Sequence, residues 1–261
     1  MMKRNLYILI TIVITLCLHT SCSRSTPAET APPKASPEAV SAVISQADVL
    51  FKQRSDIVKL REAVTVLSQF RSPDDRICEV EWKFAKYSYF LGLATKDEKE
   101  AAKIFEKGRD AAKIASTMEP LKPDGYFWYG ANLGELSRIS PITVGIKSVD
   151  DIRNSMNKVI ELQANYQNSN AYSALAQLEM ETRIYGGSAD KAVALLEKAL
   201  ETEKTNGDLH LHLAEAYLAG KKPAEAKHQL DLLFQMKPDP EFIAEHNQTV
   251  EEGKKLLKTK F

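Results

Sequence analysis

The chain has 261 residues, of which 44% are apolar and 27% charged, a composition typical of a folded protein with its own core. Its 35 Lys and Arg residues balance 35 Asp and Glu residues, so the formal net charge at pH 7 is zero. Nucleic-acid-binding proteins usually carry a clustered basic surface, and this balance argues against nucleic acid as a partner. Ala, Leu, Glu and Lys dominate the second half of the chain, which predicts an all-α protein.

The N-terminal residues have the organisation of a secretory leader. Two basic residues, Lys3 and Arg4, precede an apolar run over residues 6–18, and the small residue Ser21 lies directly before Cys22. An apolar helix of this length spans roughly 20 Å, which is shorter than the ~30 Å hydrocarbon core of a bilayer. The segment therefore fits a cleaved signal peptide better than a membrane span.

The residues that lead to Cys22 resemble the lipobox of bacterial lipoproteins, in which the cysteine becomes the lipidated first residue after cleavage. The resemblance implies a signal peptide over residues 1–21 and lipidation at Cys22, with simple cleavage near Ser21 as the alternative. Ser23 at the next position resembles the residue found there in lipoproteins that are sorted to the outer membrane. We therefore expect a lipid-anchored protein of the bacterial cell envelope that faces the periplasm.

A flexible tether is expected to follow over residues 22–36, because this stretch is rich in Ser, Thr, Pro and Ala and has no large apolar residue to bury. The folded domain is expected over residues 37–258. Apart from Cys22, this mature part of the chain contains only Cys78, so a disulfide framework is excluded and Cys78 is interpreted as a small buried hydrophobic residue.

Residues 37–258 divide into helix pairs joined by short loops. Ser36-Pro37 is a helix start signal, and Thr95 to Glu98 has the pattern of a capping box. The expected pairs are 37–51 with 57–70, 72–91 with 95–120, 126–139 with 148–164, 168–184 with 188–203, and 207–219 with 223–235. A last helix over 239–257 is expected to cover the open end of the stack.

A repeat with a period of 34 residues lies between positions 186 and 238. Its apolar positions Ala192, Leu196 and Ala199 recur as Ala226, Leu230 and Leu233, after a helix that carries Leu213, Ala214 and Tyr217. This spacing resembles the tetratricopeptide (TPR) repeat. The resemblance implies an all-α, TPR-like right-handed α-solenoid of about five helix pairs with a C-terminal capping helix.

An aromatic and glycine-rich helix, Tyr126 to Gly134, breaks the repeat pattern. A glycine inside a helix costs about 1 kcal/mol relative to alanine, so close helix packing or a ligand against the backbone has to offset that cost. Both interpretations stay open here. The apolar loop 140–147 is expected to act either as a lid over the aromatic helix or as a segment that packs over an exposed helix end. The candidate ligand- or partner-binding residues are Trp82, Tyr89, Tyr126, Trp128, Tyr129 and Asn132, since small-molecule pockets are apolar with few polar groups.

Motifs for catalysis, metal binding or a cofactor are missing from the sequence. The chain has no H-E-x-x-H, G-x-S-x-G or paired C-x-x-C motif. His210 and His212 lie about 200° apart around a helix, so they cannot bind one metal ion. Gly186-Gly187-Ser188 is interpreted as a turn with Ser188 as helix cap. We therefore expect a protein that is not an enzyme and needs no cofactor or metal.

A more specific resemblance covers most of residues 100–235. The Y-F-W-Y-G-A-N-L-G helix, the G-G-x-x-x-K-A element of residues 186–192 and the E-K-A-L run of residues 197–200 are similar to TPR-type lipoproteins related to the T component of TRAP transporters. That family implies a helper of the periplasmic solute-binding protein.

Two functions follow from these patterns. The first is a membrane-tethered TPR scaffold whose concave surface binds an envelope protein or peptide. The alternative is an accessory solute-binding component of a TRAP-type system with an aromatic-lined pocket. An oligomer is compatible with both.

Overall fold

The computed structural model describes residues 36–238 and 240–261. In this part of the chain it has eleven α-helices and no strand. The helices are α1 (Pro37–Phe51), α2 (Ile57–Ser68), α3 (Cys78–Ala94), α4 (Glu98–Met118), α5 (Pro123–Ile139), α6 (Ile146–Leu162), α7 (Asn170–Glu181), α8 (Ala189–Thr202), α9 (Gly207–Ala219), α10 (Pro223–Gln235) and α11 (Ile243–Lys260). The expected signal peptide, Cys22 and the tether up to residue 35 lie outside the described residues, so these stay predictions.

Each helix packs against the next one along the whole described chain, from α1 with α2 to α10 with α11. The first ten helices therefore form five consecutive pairs, and α11 follows the last pair. This arrangement confirms the all-α, TPR-like solenoid with a C-terminal helix. Among the described residues, no helix is long and apolar enough to cross a membrane.

The start of α4 differs from the expected capping box. The helix cap is Asp97, whose carboxylate accepts the backbone N–H of Glu100 at 2.7 Å. Thr95 instead donates its hydroxyl to the carbonyl of Leu91, one turn back in α3. The capping box from Thr95 to Glu98 is therefore wrong, because an aspartate two positions further on reaches the free N–H groups first.

The C-terminal helix covers the last pair, as expected. A short 3-10 turn, Pro240–Phe242, precedes α11, so the helix begins a few residues later than the sequence predicted. Its side chains Val250, Leu256 and Leu257 pack against the buried cluster of α9 and α10. Gly253 allows this approach, since a Cβ atom there would lie 3.0 Å from a methyl group of Leu233.

The interior forms two main clusters that share α7. Leu175 belongs to the cluster built from the first half of the solenoid, and Tyr172 and Ala176 belong to the cluster of the second half. Just before α7, the chain turns through Gln167 to Ser169, which have positive φ angles of 48°, 55° and 62°. This region is unfavourable for residues other than glycine.

Glu81 is a carboxylate fully buried between α2 and α3. Its two oxygens accept hydrogen bonds from Arg71 Nε at 2.7 Å and from Arg76 Nη1 at 2.6 Å. The guanidinium of Arg71 also lies over the ring of Phe84, 4.2 Å from its centroid. The three charged residues thus hold the connection between the first and second helix pairs against α3.

The substitution Glu81→Gln is expected to lower the free energy of unfolding by about 3 kcal/mol, because it leaves two arginines without their buried carboxylate. Urea denaturation measures the change. Glu251→Gln is the control, since Glu251 and Lys254 form a pair on the surface of α11, 59–72% exposed, that contributes less than about 1 kcal/mol. Equal losses for the two variants would show that Glu81 has no special stabilising role.

Candidate functional site

The odd-numbered helices line the inner curve of the solenoid. α3 packs against α5, and α7 packs against α9, in addition to the contacts within pairs and between consecutive helices. Helices that contact one another across pairs lie on the shorter, concave side of a helical array. The concave groove is therefore built from α3, α5, α7 and α9, with α11 at its C-terminal end.

Two exposed carboxylates lie on the odd-numbered helices that line this groove. Glu181 lies at the end of α7 and Glu215 lies on α9, and both side chains are exposed. Burial nevertheless raises the pKa of both carboxyl groups above the usual value. Both residues lie on odd-numbered helices that line the groove, and both keep contact with solvent.

Arg138 and Glu135 on α5 form an ion pair beside Glu181. The Arg138 Nη2 atom lies 2.7 Å from Glu135 Oε2. The guanidinium opposes the effect of burial on the pKa of Glu181, whereas the carboxylate of Glu135 adds to it. This part of the groove therefore holds two carboxylates for one guanidinium, and its local charge is negative.

A polar cluster joins α7 and α9. The Nδ1 atom of His212 lies 2.7 Å from the hydroxyl oxygen of Ser173, and the amide nitrogen of Gln177 lies 3.2 Å from His212 Nε2. Ser173 is buried, so its hydroxyl orients the imidazole and is not itself presented to the groove. The pKa of Glu215 is raised mainly by burial, is lowered by His212 and is raised further by Glu252 on α11.

Tyr89 on α3 packs against the rings of Phe90 and Trp128. Burial raises the pKa of Tyr89 on α3, and the carboxylates of Glu135 and Asp208 raise it further. Asp208 lies at the start of α9. Thr249 of α11 donates its hydroxyl to Asp208 and places the last helix next to this point.

The first pair and the last helix are joined by Arg54, in the turn after α1. Its Nε atom lies 2.6 Å from Glu245 Oε1 on α11. Its guanidinium lies over three aromatic rings, those of Phe51, Phe90 and Phe242, at 5.1–5.7 Å from their centroids. Cation–π contacts of this kind strengthen when they are partly desolvated. The two ends of the solenoid are therefore held close to each other.

Trp128 and Asn132, two of the candidate residues from the sequence, lie in the core between α3 and α5. The Trp128 ring contacts Tyr89, Phe90 and Phe127, with centroids 4.9–6.2 Å apart. Asn132 is fully buried and donates hydrogen bonds to the carbonyls of Ala85 and Trp128, at 3.1 and 2.8 Å. Trp128 Nε1 and Asn132 Oδ1 are both buried without a hydrogen-bond partner among the described residues.

The other candidate residues are half-buried and have different neighbours. Tyr126 donates to the carbonyl of Pro120 at 3.4 Å, and Tyr129 donates to Asp151 at 3.3 Å. The amine of Lys83 lies 5.0 Å from the ring of Trp82. The structure thus brings together Tyr89, Trp128 and Asn132, whereas the remaining three belong to separate contacts. A ligand-binding role for the six residues stays a prediction.

His210 and His212 point away from each other, as the helical spacing predicts. His210 Nδ1 lies 2.8 Å from the amide oxygen of Gln229 on α10, whereas His212 faces Ser173 on α7. Sequence reasoning left His212, Glu181 and Glu215 out of the site because each resembles an ordinary surface residue. A signal that could identify the two carboxylates is their spacing, because Glu181 on α7 and Glu215 on α9 are 34 residues apart, one period of the repeat.

An apolar groove also lies between α1 and α2, at the N-terminal end of the described stack. Its volume is about 710 Å³, and its apolar lining consists of Val49, Leu50, Val58 and Val66. The next pair covers the other side of these two helices. The groove is therefore the end surface of the array.

Comparisons with known proteins agree with this architecture. The model of the family described as "Regulator of microtubule dynamics protein 1-3" matches residues 43–260. A thermophilic TPR protein from Thermus thermophilus shares 18% sequence identity with a TM-score of 0.57, over 81% of this chain and 98% of that chain. The MamA protein shares 13% identity with a TM-score of 0.48, over 86% of this chain and 97% of that chain. No curated protein sequence matches significantly. These structural similarities concern the fold.

Two glycines of α5 differ in the space around them: one is closely packed and the other is open. A Cβ atom at Gly125 would lie 2.3 Å from the backbone nitrogen of Ser116, whereas one at Gly134 would have no neighbour within 4 Å. Gly125→Ala is expected to lower the free energy of unfolding by about 1–3 kcal/mol, and Gly134→Ala to raise it by about 1 kcal/mol. Chemical denaturation measures both. Destabilisation by Gly134→Ala would contradict the open position.

The pH dependence of stability tests the enclosure of Glu215. Because the folded-state pKa of this carboxyl group lies above its ordinary value of 4.5, the folded protein binds more protons than the unfolded chain at slightly higher pH. The Glu215 contribution to stability therefore falls as pH rises through that window. Glu215→Gln should flatten this part of a plot of Tm against pH and raise Tm at neutral pH. An unchanged plot of Tm against pH would show that burial does not shift the pKa of Glu215 in the folded protein.

Proposed function

This chain belongs to the regulator of microtubule dynamics protein 1–3 family, and from that premise we propose that it is a membrane-tethered, non-enzymatic scaffold. In this proposal, the concave groove binds a basic, extended segment of a partner protein. The observation that carries the proposal is the placement of Glu135, Glu181 and Glu215 on α5, α7 and α9, which line the groove, where burial also raises the pKa of the Glu181 and Glu215 carboxyl groups. Perturbed groups in a cleft are typical of functional sites.

The charge of the groove supports a basic segment. Glu135, Glu181, Asp208 and Glu215 contribute carboxylates, and Arg138 offsets part of their charge. A lysine or arginine side chain of a partner can donate hydrogen bonds to these carboxylates in place of water. Hydrogen bonds between oppositely charged groups are stronger than those between neutral groups. Complementary charge also raises the rate of association and excludes acidic segments.

The polar side chains support an extended conformation. An extended peptide leaves its backbone N–H and C=O groups free, and Gln177 and His212 offer donors and acceptors for them.

The tether rests on the sequence around Cys22. A lipidated Cys22 holds the solenoid at the bilayer through the stretch of residues 22–36, and two acyl chains are enough for stable anchoring. Ser23 supports the outer membrane of the bacterial envelope as the location. The solute-binding function of a TRAP-type accessory protein, with an aromatic pocket around Trp128, stays an alternative that no comparison supports.

Binding of a fluorescent lysine- and arginine-rich peptide to the purified chain tests the groove. The double variant Glu181→Gln with Glu215→Gln is expected to lose affinity about tenfold, equivalent to about 1.4 kcal/mol. The control is Glu161→Gln, an exposed residue on the even-numbered helix α6. Wild-type binding should weaken with added salt, since screening shortens the range of these interactions.

Two outcomes would contradict the proposal. Equal affinity of the double variant and the wild type would show that the peptide binds elsewhere. Loss of affinity with Glu161→Gln as well would indicate an effect of total charge and not of the groove. Because the family description names microtubule dynamics, purified tubulin is the second probe, measured with the same three proteins.

A further inference from the structure

The two ends of the helical array differ in their outer surfaces. At the C-terminal end, α11 presents Glu251, Glu252, Lys254 and Lys258 to solvent. At the N-terminal end, the exposed positions of α1 between residues 39 and 49 carry no charge. Repeat arrays normally need end units with a polar outer face to stay soluble. The last helix is such a unit, whereas α1 is not.

The apolar groove between α1 and α2 lies on this uncharged side. Val49 of α1 and Val58 of α2 line it, and both are 58% exposed. Asp48, the one charged residue in this part of α1, is turned to the opposite side, where it lies 2.8 Å from the amine of Lys83 on α3. We call the outer surface formed by Ser45, Val49, Val58, Glu62 and Thr65 the end face.

The charged residues at the border of the end face are paired within the chain. Lys59 Nζ lies 2.9 Å from Glu62 Oε2, and Arg61 Nη1 lies 2.8 Å from Glu100 Oε1. The border thus holds two cations and two anions, and the end face has no net charge. A strongly basic or strongly acidic partner finds no excess of opposite charge here, whereas an identical face meets no repulsion.

An occupant of the end face has to supply apolar side chains. Residues 22–36, which directly precede α1, contain no large apolar residue, so this stretch does not fill the groove. The outer side of α11 is charged, which disfavours a stack of copies in which the C-terminal end of one covers the N-terminal end of the next. A second end face offers the same valines and the same balance of charge.

We propose that the end face joins two copies of this chain in a dimer with two-fold symmetry. α1 and α2 of one copy lie against α1 and α2 of the other, so that Val49 and Val58 of both copies leave water together. The small exposed side chains Ala42 and Ser45 let the helices approach closely. A contact between identical faces closes at two copies. The dimer covers both N-terminal ends and leaves each α11 at an outer end.

The dimensions of the end face predict a weak dimer. α1 has 15 residues, so it is about 22 Å long, and two adjacent helices are about 20 Å wide. Two copies therefore bury roughly 900 Å² in total, which is at the low end for protein interfaces. We expect a Kd on the order of 10 μM.

Light scattering of the purified full chain, with the detergent contribution subtracted, measures the mass over a concentration series. The mass is expected to rise from close to one chain at about 1 μM to most of two chains at about 100 μM. The double variant Val49→Lys with Val58→Lys brings like charges together in the contact and should weaken association at least about tenfold. The control is Leu121→Lys with Ile142→Lys, at positions 81% and 83% exposed elsewhere, which should leave association unchanged. Circular dichroism checks that each variant is folded.

A mixture of oppositely charged variants tests whether both copies use the same face. The double variant Val49→Glu with Val58→Glu should be monomeric alone, as the lysine variant should be. Mixed one to one, the two should form a mixed dimer, because lysines on one copy face glutamates on the other. Energy transfer between fluorophores attached to the two variants measures this pairing.

The dimer would be overturned in several ways. A wild-type chain that stays monomeric at about 100 μM would show that a second copy is not the occupant and would leave residues 6–18 of the same chain or a different protein in its place. A lysine variant that still dimerises, or charged variants that do not pair, would place the contact elsewhere. A mass that keeps rising beyond two chains would indicate a head-to-tail array. Peptide binding in the concave groove is measured separately from all of these.

Discussion

A pair of helices in this chain cannot cover its own apolar surface, and the rest of the structure depends on that constraint. α3 is buried on more than one side, so it needs neighbours both before and after it. The fit to α4 is close, since a Cβ atom at Gly92 would lie 2.4 Å from the ring of Phe105. Each pair is thus stabilised by the next one, and the array requires a cover at its ends. α11 supplies that cover at one end.

The packing of the helices determines which carboxylates form ion pairs inside the protein and which remain available to a partner. In the core, Glu81 has two arginines and Glu179 has Arg153, so their charges are compensated within the protein. In the groove, burial raises the pKa of Glu215, and His212 offsets only part of that effect. A charge kept under such conditions lowers stability, and binding of a cation reverses the loss. The ionised carboxylate of Glu215 therefore lowers the stability of the folded protein and at the same time offers a binding position for a cation.

Much of the architecture could be predicted because the spacing of apolar residues is local information. The starts of α1, α2, α9 and α10 lie where the caps and the periodicity place them. The groove could not be predicted in the same way. Glu181 and Glu215 are 34 residues apart along the chain, one whole repeat, and only the stacking of α7 on α9 places them on one side of the array. In the sequence, each resembles an ordinary solvated charge.

The aromatic helix shows a second limit of pattern reasoning. The glycines and aromatic residues of α5 correctly indicated unusual packing, since a Cβ atom at Gly130 would lie 2.6 Å from Met156 Cε. The pattern did not reveal which aromatic side chain faces which neighbour, because that depends on the angle at which α3 and α6 cross α5. Trp128 faces α3, where Tyr89 and Phe90 contact it.

The contact between the two ends restrains the curvature of the array. Arg54 lies between three aromatic rings and Glu245, so the first pair and α11 are joined by a charge that is expensive to expose without these partners. An array of repeats held only by neighbouring contacts would bend and twist more freely. Because its ends are linked, the curvature of the array is restrained, so the odd-numbered helices keep one arrangement along the concave side, which a freely bending array cannot do.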